Sequence, residues 1–340
     1  MVSGDQRDDD AHEASSYSER ADRYKPTWRE RAPPVLVVVG PTASGKSALA
    51  LELADAVRGT VINADSLQSY RDLRILTARP DPAAERLVPH RLYGFLDAAE
   101  RGSAAAWRAL AMDEIAAATN AGRLPIVVGG TGLYLRALER GLAPVPEIPR
   151  PIRQEAVEIH RALGGVAFRQ RLARLDPVGA ARLFAGDGQR LVRAYEVVRA
   201  TGIPLATWQR RAPPPSPYRF ITILLMPPRE RLYAACDARF AGMIATGGLA
   251  EAGALAARGL DPDLPAMKAV GLPELLCHLR GELQLSQAVA AGQRATRRYA
   301  KRQITWFRHQ SAPDLTLTEQ CSKSLFNYVL QFIRDSVLTG

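Results

Sequence analysis

An α/β fold, with a parallel-sheet core of the P-loop NTPase type and a helical insertion, follows from three features of this 340-residue sequence. Four short β-branched or aliphatic runs, Val35 to Val39, Thr60 to Ala64, Leu124 to Val128 and Phe220 to Met226, alternate with longer stretches of helical spacing. That alternation is the pattern of parallel strands joined by crossover helices. The first run leads into Gly40-Pro-Thr-Ala-Ser-Gly-Lys-Ser47, which matches the phosphate-loop pattern GxxxxGK[ST] and predicts a helix beginning near Ser47. Between the third and fourth runs, about Ile152 to Arg211, Arg and Leu are mixed with little strand character, which reads as a helical insertion.

In chain order, residues 1–34 are polar, lack apolar periodicity and end in Ala-Pro-Pro, and 1–33 are expected to be a disordered leader. The catalytic core is expected over 34–150 and 217–312, the insertion over 151–216, and a C-terminal tail over 313–340. After Met226 the spacing predicts helix through Asn327, interrupted by a turn-rich stretch from Gly259 to Pro265. No apolar run approaches the roughly 20 residues of a membrane span, and MVSGDQRDDD lacks the order of a secretory signal. The cytoplasm is the expected compartment. Cys236, Cys277 and Cys321 stand far apart with no CxxC pair, so they are expected to be structural or incidental. The formal charge of +10 points to a polyanionic partner, most naturally nucleic acid.

In open parallel sheets ligands gather at the carboxyl ends of the strands. Here those ends carry the loop from Gly40, the pair Asp65-Ser66, the turn Gly129-Gly130-Thr131-Gly132, and Pro227-Pro228-Arg229. The loop residues Gly40, Pro41, Thr42, Ala43, Ser44, Gly45, Lys46 and Ser47 form the expected diphosphate site. Backbone amides and a helix N-terminus offer donors, Lys46 adds a charge, and the Ser47 hydroxyl is a candidate ligand for Mg2+. The motif alone does not distinguish among users of phosphate compounds. Asp65 is the single strand-end acid and reads as a general base, as a magnesium acid, or as a solvated turn residue. Near the C-terminal end, Arg294, Arg297, Arg298 and Lys301 fall on one helical face, and Arg302 and Arg308 extend this basic stripe. The other reading of the stripe is a merely soluble helix with Tyr299 and Trp306 turned inward.

The order of GPTASGKS (40–47), INADSLQSY (62–70), TARP (77–80), VPHRL (88–92), GGTGLY (129–134), GDGQRLVRAYEV (186–197), PPRERLY (227–233), DARFAGMI (237–244) and RYAKRQITWFRHQ (298–310) resembles the bacterial tRNA dimethylallyltransferase family over roughly residues 34–310. The resemblance implies transfer of a dimethylallyl group from dimethylallyl diphosphate to N6 of the adenosine 3′ of the anticodon, position 37, of tRNA. It implies Asp65, Thr131 and Arg239 as catalytic residues and Mg2+ as cofactor. It also implies tRNA contacts from Asp65, Ser66, Leu67 and Gln68, from Gln189, Arg190, Leu191, Val192 and Arg193, and from Arg298, Lys301 and Arg302. For Thr131 a helix cap, and for Arg239 a solvated helix position, are the plainer readings. An insertion clasping RNA over a channel where two substrates meet, in a monomer, completes the expectation.

Two departures from the family pattern stand out. Leu76-Thr-Ala-Arg-Pro80 replaces a Gly-Thr-Ala-Lys-Pro sequence, and Gly271-Leu272 replaces Gly-Tyr, removing a ring that could contact RNA. The rival functions are an adenylate isopentenyltransferase acting on free nucleotide, a kinase or ATPase, and a noncatalytic RNA-binding module. The insertion argues against the first and the absent second-strand acid against the second. A phosphate loop without a role argues against the third.

Overall fold

The computed structural model describes residues 32–211, 213, 216–319 and 323–338; residues 1–31 of the expected leader and Cys321 lie outside them. The sheet has six strands, all parallel: β1 (Pro34–Val39), β2 (Gly59–Asn63), β3 (His90–Arg91), β4 (Leu124–Gly129), β5 (Arg219–Leu225) and β6 (Leu315–Leu317). Their spatial order is β3-β2-β4-β1-β5-β6. From β1 the chain moves to one side for β2 and later returns to the other side for β5, so the strand order reverses at the carboxyl end of β1. A crevice opens at such a reversal. The phosphate loop begins there.

Strand β1 shows why these runs are strands. Leu36 and Val38 face one apolar layer while Val35, Val37 and Val39 face the other, and all five are buried. A strand covered on both faces needs this continuous apolar run. Truncating Leu36 to Ala would cost about 2–5 kcal/mol by the usual cavity penalty. One layer holds α1 (Lys46–Ala56), through Leu49 and Leu53. The other holds α3 (Ala104–Asn120) and α4 (Gly132–Arg140), through Trp107, Ile115 and Leu138. Between them in sequence lies the short α2 (Pro82–Leu87), capped by Asp81.

The chain after Met226 corrects the expectation of helix through Asn327. Helix runs over α9 (Arg229–Ala245), α10 (Gly248–Ala257), α11 (Leu272–Leu279) and α12 (Leu285–Gln310), then stops. The residues expected to be a tail supply edge strand β6 and then α13 (Lys323–Ile333), whose Val329 and Ile333 are wholly buried against the β1 layer. A third apolar cluster joins α9 through α12 to the segment after β2, with Tyr70, Leu73, Phe240, Leu272 and Leu275 at its centre. Leu272 is fully buried there, so the residue replacing the family's tyrosine is a core residue and not an RNA contact.

Residues 140–215 form a second compact unit. It consists of α5 (Arg150–Ala173), α6 (Pro177–Arg182), α7 (Gly188–Thr201) and α8 (Leu205–Gln209) around Phe168, Leu172, Leu191 and Tyr195. Helix α5 breaks at Gly164, whose φ of 70° is readily adopted only by a residue without Cβ. The unit carries 13 Arg against 6 Asp and Glu, a net +7 of the chain's +10.

Candidate active site

The phosphate loop is held open by backbone geometry. Gly40 passes so close to β5 that an added Cβ would lie 2.5 Å from the Leu225 carbonyl oxygen, and Ala43 and Gly45 adopt positive φ of 64° and 90°. Helix α1 starts at Lys46 without any side-chain cap, so its first N–H groups are free to receive an anion. The Ser44 hydroxyl is buried without a partner, and Ser47 is exposed in the first turn. Lys46 is 7% exposed and donates to the Pro41 carbonyl at 3.3 Å.

Asp65 follows β2 in a turn fixed by Asn63. The Asn63 carboxamide accepts from the Asp65 N–H at 2.8 Å and donates to the carbonyls of Asp65 and Leu92. One carboxylate oxygen of Asp65 accepts from the Leu67 N–H at 3.0 Å, which sets the carboxylate's direction. Thr131 ties this turn to the end of β4: its hydroxyl accepts from the Ser66 N–H at 3.0 Å and donates to the Ser66 hydroxyl at 3.3 Å. The hydroxyl joins two strand ends. Gly129 permits the approach, since a Cβ there would sit 2.2 Å from the Ala64 backbone.

A cavity at this point is lined by the polar residues Thr42, Asp65, Thr77, Cys236, Arg239, Thr296 and Tyr299 and by the apolar Leu67, Leu76, Phe240, Met243 and Val270. Arg239 donates to the Thr77 carbonyl at 3.1 Å, so it is held in place and is not a solvated helix residue. Burial, with Arg239 nearby, lowers the Lys46 pKa to about 8 against the opposing pull of Asp65 and Cys236. Burial likewise depresses Arg239, while Asp65 raises it. Two partly desolvated cations thus share one carboxylate. Such a site gains from an incoming anion.

The strand ends are joined by a residue that sequence reading left out. Gln303, 5% exposed on α12, accepts from the Thr42 N–H at 2.7 Å and donates to the Gly130 carbonyl at 2.9 Å. It clamps the phosphate loop to the Gly-rich turn. Cys236, expected to be incidental, lines the cavity, and burial pushes its thiol pKa up to about 11. The Pro227-Pro228-Arg229 turn does not reach the cavity; Arg229 lies over the Tyr233 ring, and the fourth strand end acts through Cys236 and Arg239 on the following helix.

The remaining predicted residues divide by position. Leu67 lines the cavity, whereas the buried Gln68 amide donates to the carbonyls of Thr77 and Ala78 at 2.9 and 3.0 Å and so braces the neighbouring loop. On α7, Gln189 and Arg190 are exposed, with Arg190 3.3 Å from Asp187. Arg193 pairs at 2.6 Å with Glu196, and Val192 is half-buried. Leu191 has no exposed surface and belongs to the core of its unit, so its apolar side chain supports the helix and cannot itself touch RNA. On α12, Arg294, Arg298, Lys301, Arg302 and Arg308 are exposed, and Arg302 lies over the Tyr299 ring at 5.5 Å. Arg297 leaves the stripe: it pairs with Asp237 at 2.5 Å.

Comparison with known proteins bears on this arrangement directly. Residues 68–310 match the family model described as IPP transferase. The chain belongs to the IPP transferase family. It is 63% identical over 281 residues to the tRNA dimethylallyltransferase of Rhodospirillum centenum, covering 82% of this chain and 90% of that one. It is 53% identical over 313 residues to that of Rhodospirillum rubrum, covering 90% and 96%. A solved relative, the tRNA isopentenylpyrophosphate transferase of Bacillus halodurans, superposes with a TM-score of 0.66 at 32% identity, covering 91% of this chain and 97% of that one. A eukaryotic dimethylallyltransferase, solved acting on tRNA, shares the fold with a TM-score of 0.76 at 24% identity, covering 89% and 80%. The resemblance read from the motifs is borne out, and so is the α/β fold with its phosphate-loop core.

Proposed function

We propose that the chain transfers a dimethylallyl group from dimethylallyl diphosphate to N6 of the adenosine at position 37, 3′ of the anticodon, in tRNA. The observation that carries this reading is the cavity's mixed lining: Asp65, Arg239 and the phosphate loop's Thr42 share it with the hydrocarbon side chains of Leu67, Leu76, Phe240, Met243 and Val270. An allylic diphosphate likewise joins a charged group to a hydrocarbon one.

In the proposed step the allylic C–O bond breaks, leaving its electron pair on the diphosphate, and the N6 lone pair forms the new C–N bond. The proton shed by N6 passes to the Asp65 carboxylate. An adenine amino group is a poor nucleophile, and a fixed carboxylate that takes its proton during attack contributes about 10²–10⁴-fold. The charge gathering on the leaving diphosphate is met by Lys46, Arg239 and the loop amides, donors already in place before reaction. Thr131 acts by setting the Asp65-Ser66 turn against the end of β4.

Magnesium fits the donor set only partly through protein atoms. Among the described residues no group of three or more His, Cys, Asp or Glu could hold a metal. The Ser47 hydroxyl is a hard oxygen exposed at the loop, and Mg2+ commonly takes one or two protein oxygens with the rest from substrate phosphates and water. Ser47 would hold it, and the ion would supply further neutralisation of the leaving diphosphate. The tRNA would be captured by exposed cations, Arg190 on α7 and Arg298, Lys301 and Arg302 on α12. Base flipping would then bring the adenine to Asp65. We propose a monomer.

The test is incubation of the protein with unmodified tRNA, magnesium and labelled dimethylallyl diphosphate, with AMP and ATP in parallel, followed by nucleoside mass analysis. Prenylated adenosine in tRNA alone is expected. Product on AMP would assign the free-nucleotide activity, and ATP hydrolysis without prenylation a kinase or ATPase.

A further inference from the structure

The cavity has one wall of unusual construction. Phe240 on α9 is 2% exposed, and its ring lies against two glycines that belong to other elements. A Cβ added at Gly271, which precedes α11, would lie 2.2 Å from a ring carbon; one added at Gly292, on α12, would lie 2.3 Å from another. Gly271 also has a φ of 88°, where an L side chain is strained. Two bare backbones therefore form a slot in which the ring sits. Leu272 and Leu275 pack in the same cluster as Phe240, leaving the ring little freedom to swing away.

Because the ring is fixed from behind, its cavity side is a hard stop. Beside it stand Met243, Leu76 and Val270, with Thr77 and Thr296, whose hydroxyl protons are already given to the carbonyls of Leu73 and Gly292 and so are not free to donate to a ligand. An adenine placed among them would lose partners for its ring nitrogens, whereas a hydrocarbon tail loses nothing. The tail of an allylic donor, with its diphosphate at the loop, is the group that meets this wall.

We propose that Phe240, seated in the Gly271–Gly292 slot, sets the donor's chain length and restricts the cavity to a five-carbon prenyl group. This inference rests on the prenyl-transfer reading above. A ten-carbon donor would undergo the same bond changes, with the allylic C–O pair leaving on diphosphate and N6 forming the new bond, so selection falls on the tail alone. Replacing Phe240 by Leu shortens the wall while keeping an apolar side chain. An alanine at Gly292 instead pushes the ring forward into the cavity.

The experiment compares geranyl diphosphate with dimethylallyl diphosphate as donors to unmodified tRNA, reading kcat/KM for each. The parent is expected to favour the five-carbon donor by about a hundredfold or more, since a pocket filled by a short chain excludes added methylenes. In Phe240→Leu the ratio of ten-carbon to five-carbon activity should rise by about tenfold or more. In Gly292→Ala the KM for dimethylallyl diphosphate should rise, with tRNA affinity unchanged. A parent that uses both donors equally overturns the proposal whatever the variants do. So does a folded, tRNA-binding Phe240→Leu protein with the parent's ratio. A parent that prenylates tRNA with neither donor fails the underlying functional reading instead, which keeps the two failures distinct.

Discussion

The cavity beside the phosphate loop and the outer face of α7 both carry residues assigned to the reaction, but they are built on opposite principles. At the cavity, side chains are buried and hold one another: Gln303 clamps two loops, Thr131 joins two strand ends, and Arg239 is fixed on Thr77. On α7, Gln189 and Arg190 stand in solvent, and what restrains Arg190 is an exposed pair with Asp187 on the same helix end. Buried, mutually fixed groups suit a step that tolerates little displacement. Exposed cations suit capture of a flexible polyanion, where range and number matter more than position.

On that contrast, the largest effect belongs to Asp65. Asp65→Ala should lower the single-turnover rate by about 10²–10⁴-fold, the span of a lost general base. Loss of tRNA binding in step with the rate would break the contrast. The next effect belongs to the clamp. Gln303→Leu keeps the volume but leaves the Thr42 N–H and Gly130 carbonyl unpaired, costing about 1–3 kcal/mol of stability for each buried group. It should also raise the KM for the allylic donor; an unchanged KM would show that the phosphate loop holds its form unaided.

A smaller effect separates the two regions by pH. With its pKa near 8 in the unliganded protein, Lys46 is charged below that value and loses its proton above it. A diphosphate favours the charged form, so donor affinity should be level below pH 8 and then fall by up to about tenfold per pH unit. The proposed capture of tRNA does not use Lys46, so tRNA affinity should not share this fall. The smallest effect is that of single exposed cations. Arg298→Ala should weaken tRNA binding by a few-fold and reduce the slope of log affinity against log salt by about one, with the single-turnover rate on bound tRNA retained.

What was legible in the sequence follows the same division. The four long strands were readable because each is apolar on both faces, and Asp65 because an acid closing such a strand beside a phosphate loop has few plain explanations. Strand β3 is two residues long, too short to show alternation, and β6 with α13 follows a Pro-containing turn after a long helix, where a tail is the natural reading. Gln303 escaped notice because a glutamine on a basic helix looks like surface; its position two residues after Lys301 puts it on the opposite side of the helix from that exposed lysine. Leu191 illustrates the reverse case. Carried over as one of a run of five tRNA contacts, it lies at a core position of its own helix. Leu272 likewise belongs to tertiary packing that only the fold reveals.

The central claim is that chemistry and capture reside in separate sets of residues, and one measurement addresses it most directly. Single-turnover rate and tRNA dissociation constant would be determined together for the parent, Asp65→Ala and Arg190→Ala proteins with dimethylallyl diphosphate in excess. The account predicts a rate loss of about a hundredfold or more for Asp65→Ala with near-parental tRNA affinity, and weakened affinity with a near-parental rate for Arg190→Ala. Equal losses of rate and affinity in both variants would contradict it.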